Sequence, residues 1–221
     1  MAQNLQVKYC GNHSLQDLRY TMNSRADYLG FVFASVSKRC VSAEQVGEWL
    51  EEIPPKKGQK LVGLFVNSTA EDIQAVVSQV PLDIIQCHGA ETPDHVDEIS
   101  AVTGLPVWKA IHHDETALHR MRAYKGKAAG FVVDCKVKGQ WGGTGKSFDW
   151  TVVPEYTAEA SRQGVPCFIA GGIRPGNVAE LLRYKPEGID ISSGIERDGD
   201  KHEEEISRLE ERMNVDEAEL S

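Results

Sequence analysis

The chain has 221 residues, 41% of them hydrophobic, with 24 Lys plus Arg against 33 Asp plus Glu and a formal net charge of -9 at pH 7. That length suits one ordinary domain or one minimal α/β barrel with a sizeable core, and the acidic balance argues against nucleic acid and anionic membrane surfaces as partners. No apolar run approaches the roughly 20 residues of a membrane span, Met1-Ala2-Gln3-Asn4 lacks the basic and apolar regions of a leader, and the five scattered cysteines read as reduced thiols, so a cytoplasmic protein is expected.

Short β-rich runs alternate with helical patterns along the chain. Leu5 to Tyr9 leads into Cys10-Gly11 and is followed by a weak stripe of Leu15, Leu18 and Met22. Tyr28 to Phe33 runs towards Ser37-Lys38-Arg39; a capping box of Ser42 with Gln45 then opens a helix whose apolar stripe is Val46, Trp49, Leu50 and Ile53. Leu61 to Val66 ends in Asn67, before a second box (Ser68 with Glu71) and the stripe Ile73, Val76, Val77, Val80. Leu82 to Gln86 leads to His88-Gly89, with Pro93 in the first turn of the next helix, and Val107 to Ile111 leads to His112-His113. Gly130 to Asp134 stops abruptly at a carboxylate, and the loop Gly142-Gly143-Thr144-Gly145 leads from there towards a helix. Val165 to Ala170 ends in Gly171-Gly172, with Pro175 in a following first turn, and Gly188 to Ile191 ends in Ser192-Ser193-Gly194. Glu203 to Ser221 reads as an eighth helix, carrying Ile206, Leu209 and Met213 and running into an acidic end expected to fray. Eight strand and helix units without a linker or a break in composition predict a single domain over residues 1–221, a closed (β/α)8 TIM barrel in preference to a doubly wound sheet.

In such a barrel the chemistry sits at the carboxyl ends of the strands. Glycine-rich turns after strands seven and eight commonly hold a phosphate through backbone amides, and with Gly142 to Gly145 they point to a phosphorylated small molecule; small residues that merely permit tight turns are the plainer explanation. Cys10 and Asp134 end strands one and six, where a thiol and a carboxyl on opposite sides of one pocket can move a proton between two substrate atoms. Cys87, Cys135 and Cys167 read as small buried apolar groups. His88, His112 and His113 come with no carboxylate at ligand-like spacing, and adjacent histidines on a strand face opposite ways, so no metal is expected. A dinucleotide cofactor has no visible seat, because no Gly-x-Gly-x-x-Gly turn follows the first strand. Lys8 and Lys109 lie in strands, which leaves open a Schiff-base lysine at Lys109 or an interior ion pair.

Seven segments in order resemble the phosphoribosylanthranilate isomerase family of tryptophan biosynthesis over nearly the whole chain. They are Lys8 to Gly11, Ala26 to Phe33, Val62 to Asn67, Asp83 to Gly89, Gly142 to Gly145 with Phe148 to Trp150, Ala170 to Gly172, and Gly188 to Glu196. The resemblance implies a cofactor-free barrel, monomeric or homodimeric, that converts the aminoaldose phosphoribosylanthranilate into the aminoketose carboxyphenylamino-deoxyribulose phosphate. It further implies Cys10 as general base, Asp134 as general acid, Arg39 on the anthranilate carboxylate, and Gly171, Gly172, Asp190, Ser193 and Gly194 around the phosphate, with Gly142 and Gly143 contributing from the sixth loop. Lys38, Cys87 and Trp141 depart from the family pattern. Two other readings remain: a different phosphate-binding barrel, with an epimerase's metal constellation or a synthase's lysine and glutamate pair, and a non-catalytic phosphometabolite sensor.

Overall fold

A computed structural model describes residues 5–135 and 148–219. In chain order its elements are β1 (Gln6–Cys10), α1 (Leu15–Met22), β2 (Tyr28–Val32), α2 (Ala43–Glu52), β3 (Lys60–Phe65), α3 (Ala70–Val77), β4 (Ile84–Cys87), α4 (Pro93–Thr103), β5 (Val107–His112), α5 (Ala117–Ala123), β6 (Gly130–Asp134), α6 (Val153–Gln163), β7 (Cys167–Ala170), α7 (Val178–Leu182), β8 (Gly188–Ile191) and α8 (Glu203–Glu219). The eight barrel strands are parallel, each paired with the next, and β8 pairs with β1 to close the barrel, while Glu196–Arg197 and Asp200–Lys201 form a short antiparallel pair beyond it. The eight strands predicted from the sequence are all present, with ends shifted by at most two residues. Among the described residues no helix is long and apolar enough to cross a membrane.

Local chemistry explains most boundaries. The Ser42 and Gln45 box forms, each side chain accepting from the other's backbone N–H, and Pro93 sits in the first turn of α4, behind Thr92, which caps it. Two expected starts move. The helix after β3 is capped not by Ser68 but by Thr69, whose hydroxyl accepts from the Asp72 N–H at 3.1 Å, while the Ser68 carbonyl is in hydrogen-bond contact with His95 Nε2 at 2.9 Å. Pro175 lies three residues ahead of α7, in a turn where the Arg174 carbonyl accepts from Asn177 and Val178.

Alternation along each strand divides the side chains into two sets. One packs against the helices in the large core, for example Val7, Tyr9, Ile85, Ile111 and Phe131. The other fills the barrel itself, where Tyr28, Trp108 and Phe168 form an aromatic group with centroids 4.7 to 5.2 Å apart. At the amino end of the barrel, acidic side chains accept strand N–H groups, Asp27 from Val7, Asp83 from Leu61 and Glu187 from Cys167, at 2.7 to 3.0 Å. That end is built for stability.

Lys109 belongs to the outward set and is turned away from the barrel interior, which removes it as a Schiff-base candidate. Its buried ammonium donates to Glu91 Oε2 at 2.9 Å and to the Gly89 and Cys87 carbonyls at 2.8 and 3.2 Å. Burial works against the charged form of Glu91, but Lys109 and the Asn67 N–H prevail and hold its carboxyl below the ordinary range. The pair's stabilisation is therefore complete above the unfolded carboxylate's pKa and is lost as pH falls through the lower folded value. Lys109→Met leaves a buried charge without its partner and is expected to cost about 3–5 kcal/mol in urea unfolding, most of it recovered in Lys109→Met/Glu91→Gln. A single variant within about 0.5 kcal/mol of wild type, the range of a neutral surface change, contradicts this.

Candidate active site

Alternation brings the inward residues of the strand ends together at one mouth. Lys8 and Cys10 of β1 share a face, as do Trp108, Ala110 and His112 of β5 and Val132 and Asp134 of β6. Above the interior layer the mouth opens into a pocket. Its lining contains Cys10, Arg39, Asp134, Gly171, Gly172, Asp190, Ser193 and Gly194, so eight of the ten residues singled out from the sequence share one cavity. Gly142 and Gly143 lie outside the described residues, as do Trp141, Thr144 and Gly145.

The rim depends on close backbone approach. A Cβ on Gly194 would stand 1.7 Å from the Ile173 carbonyl oxygen, so the turns after β7 and β8 can touch only with glycine there. Gly171 adopts φ +91°, and a Cβ on it would reach 2.9 Å from Asp134 Oδ1. On β2, a Cβ at Gly30 would meet Cys10 Sγ at 2.8 Å.

Cys10 is buried, and burial pushes its thiol above the usual range, with Asp190 adding to the rise and the Lys8 and Lys201 ammoniums opposing it. Lys8 lies level with Asp190 across the β8–β1 seam and donates to its Oδ2 at 2.8 Å. Burial disfavours the Lys8 cation, yet Asp190 and Cys10 more than offset this and its pKa is raised. A fixed positive charge therefore sits directly beneath the thiol. The family resemblance placed Asp190 at the phosphate; here its Oδ2 accepts from Lys8, and the residue also lines the pocket.

Arg39 is also partly committed. Its Nε and Nη2 donate to Glu196 Oε1 and Oε2 at 2.8 and 2.6 Å, a bidentate fork, and Lys201 Nζ donates to Glu196 Oε1 at 2.6 Å. The hydrogen bonds that Arg39 donates to Glu196 raise its pKa. Burial opposes ionisation of Glu196, but Arg39 and Lys201 hold its carboxyl below the ordinary range. These bonds use the Nε–Nη2 edge of the guanidinium, and Arg39 lines the pocket.

Asp134 Oδ1 accepts from the Cys135 N–H at 2.7 Å, and Oδ2 lies 3.3 Å from His88 Nε2. His88 Nδ1 is 3.1 Å from the Gln86 side-chain amide, and the His88 and His112 rings meet edge-on at 5.6 Å. His113 faces the other way, stacked on Phe148 at 4.4 Å and 2.7 Å from the Tyr156 hydroxyl, as adjacent strand residues should. No carboxylate stands at ligand-like spacing in the sequence, yet in the fold ligand atoms of His88, His112 and Asp134 lie within 4.8 Å of one another. Spacing within one strand could not show this, because the three residues come from three strands. Lys8, Gln86, Glu196 and Lys201 were likewise not placed by sequence reading; the signal available was alternation from Cys10 to Lys8 and from His88 to Gln86.

Residues 7–212 match the family model for N-(5'phosphoribosyl)anthranilate (PRA) isomerase. The chain belongs to this family. The N-(5'-phosphoribosyl)anthranilate isomerase of Geobacillus thermodenitrificans is 53% identical over 208 residues, 94% of this chain and 93% of the relative. The crystal structure of phosphoribosyl anthranilate isomerase from Thermotoga maritima is 30% identical and superposes with a TM-score of 0.82 over 96% of this chain and 99% of its own. A further phosphoribosyl anthranilate isomerase, solved in complex with reduced 1-(o-carboxyphenylamino)-1-deoxyribulose 5-phosphate, is 29% identical with a TM-score of 0.79, covering 96% and 99%.

In this isomerase, the burial of Cys10 predicts slow alkylation at neutral pH. Peptide mapping after iodoacetamide should show exposed Cys40 modified well before Cys10 at pH 7, with Cys10 catching up only above the ordinary thiol range. Equal rates at pH 7 contradict the environment described for Cys10.

Proposed function

We propose that the mouth of this barrel carries out the isomerisation that names its family, with Cys10 as general base and Asp134 as general acid. The observation that carries the reading is circular order. Around the closed barrel β7 and β8 lie between β6 and β1, so the glycine turns suited to a phosphate stand between the carboxyl and the thiol on one rim.

Each group then has a task its surroundings suit. A phosphate is held by backbone N–H groups and hydroxyls of Gly171, Gly172, Ser193 and Gly194. The free end of the Arg39 guanidinium takes the anthranilate carboxylate, with Glu196 fixing its orientation. Val32, Ala34 and Leu64 give the aryl ring an apolar wall. Asp134 gives its proton to the ribose ring oxygen as that carbon–oxygen bond breaks, and the nitrogen lone pair forms the Schiff base. The Cys10 thiolate removes the proton from the adjacent carbon, and the resulting enolamine tautomerises to the aminoketose. The thiolate is the minority form, and the Lys8 ammonium beneath it favours that form over the neutral thiol. Asp190 keeps Lys8 charged and in place, which gives this carboxylate a positioning role.

Cys10→Ala and Asp134→Asn are each expected to lower turnover of phosphoribosylanthranilate by about a hundredfold or more, with folding preserved. Arg39→Ala should instead raise the Michaelis constant, by a loss on the order of 1.5 to 3 kcal/mol. A fluorescence assay of substrate consumption reads all three. Near-wild-type turnover in Cys10→Ala, in a preparation free of host isomerase, sinks the two-residue mechanism; binding without turnover in the wild-type chain favours a sensor.

A further inference from the structure

We propose that His88, His112 and Asp134 form a binding site for one zinc-class divalent cation at the barrel mouth, and that filling it stops turnover by engaging the Asp134 carboxylate. The three side chains end or follow the adjacent strands β4, β5 and β6. His112 and Asp134 are register partners across β5 and β6, and the ligand atoms of all three residues lie within 4.8 Å of one another.

The spacing suits a shared ion. His88 Nε2 and Asp134 Oδ2 are 3.3 Å apart, longer than the most common N–H···O distance of about 2.9–3.0 Å. Two tetrahedral ligands about 2.0–2.1 Å from a zinc ion stand about 3.3 Å from each other. The two imidazoles meet edge-on, with an interplanar angle of 61°, so ring nitrogens can converge without the rings stacking. Two histidines and one carboxylate leave a fourth position for water, the pattern of an open zinc site, and two imidazole ligands select zinc-like ions over magnesium or calcium.

The surroundings would hold the ligands in place. Asp134 Oδ1 is fixed by the Cys135 N–H, which leaves Oδ2 to the ion. A metal on His88 Nε2 requires the proton on Nδ1. The buried Gln86 amide, 3.1 Å from that nitrogen, can accept it once turned to present its oxygen. Binding requires only these positions, while the inhibition also rests on Asp134 being the acid proposed above.

The test uses the full chain, stripped with chelator and titrated with Co²⁺ as a spectroscopic stand-in, then with Zn²⁺. The expected result is one equivalent of Co²⁺ per chain, with the visible bands of a four- or five-coordinate site, no thiolate charge-transfer band in the near ultraviolet, and displacement by Zn²⁺. His112→Gln, folded by circular dichroism, should weaken Co²⁺ binding about tenfold or more, whereas Cys10→Ser should leave the spectrum unchanged. Zn²⁺ should slow the isomerase reversibly, with EDTA restoring the rate. Absence of the visible bands, a thiolate band that vanishes in Cys10→Ser, or undiminished binding in His112→Gln overturns the site. One equivalent bound in the expected manner with full activity overturns the inhibition alone. The spectrum remains decisive for binding even if Asp134→Asn keeps its turnover.

Discussion

Every second side chain of a strand faces the same way, and in a closed barrel that rule decides which residues meet. Once Cys10 points into the mouth, Lys8 must point into the interior beneath it, and the seam with β8 sets Asp190 beside Lys8. A buried ion pair is a weak source of stability. Its value here lies in placing a permanent cation under a thiol that burial alone would hold neutral. The same rule sends Lys109 outward, where Glu91 and two carbonyls satisfy it away from the site.

The rim is organised by charge and by backbone contact. Glu196 draws in Arg39 on one side and Lys201 on the other, linking the loop after β2 to the segment after β8 and holding a guanidinium in the pocket lining. Opposite, the turns after β7 and β8 approach so closely that only glycine fits at position 194. A guanidinium, an apolar wall and a glycine-lined turn thus share one pocket, as the proposed function requires for an anionic, apolar-ringed, phosphorylated substrate. This occurs on a chain whose net charge is -9, so the donors for such a substrate must be local.

The alternation of strands and helices, and the residues at the strand ends, were legible in the sequence because apolar runs stop at polar residues there. Cys10, Asp134 and the two glycine turns were found that way, and the family resemblance added Arg39. What could not be read was orientation within strands buried on both faces. In Val107 to His112 both faces are apolar apart from the lysine and the histidine, so periodicity gives no sign of which side Lys109 takes. Pairings between distant segments were equally hidden: Arg39 with Glu196 spans 157 residues. His88 and Asp134 meet only because β4 and β6 are both neighbours of β5. Ser68 and Thr69 are both good caps, and residue type alone did not show that Thr69 is the one used.

The proposed reaction rests on a division of labour, with the carboxyl of Asp134 opening the ring and the thiolate of Cys10 taking the carbon-bound proton. The most direct test is the kinetic isotope effect on turnover of phosphoribosylanthranilate deuterated at the carbon that loses its proton, compared between wild type and the two single variants. Removing the base should make proton abstraction limiting, so the effect should grow in Cys10→Ala. Removing the acid should make ring opening limiting, so it should shrink towards unity in Asp134→Asn. An isotope effect that changes in the same direction in both variants, or in neither, contradicts the assignment.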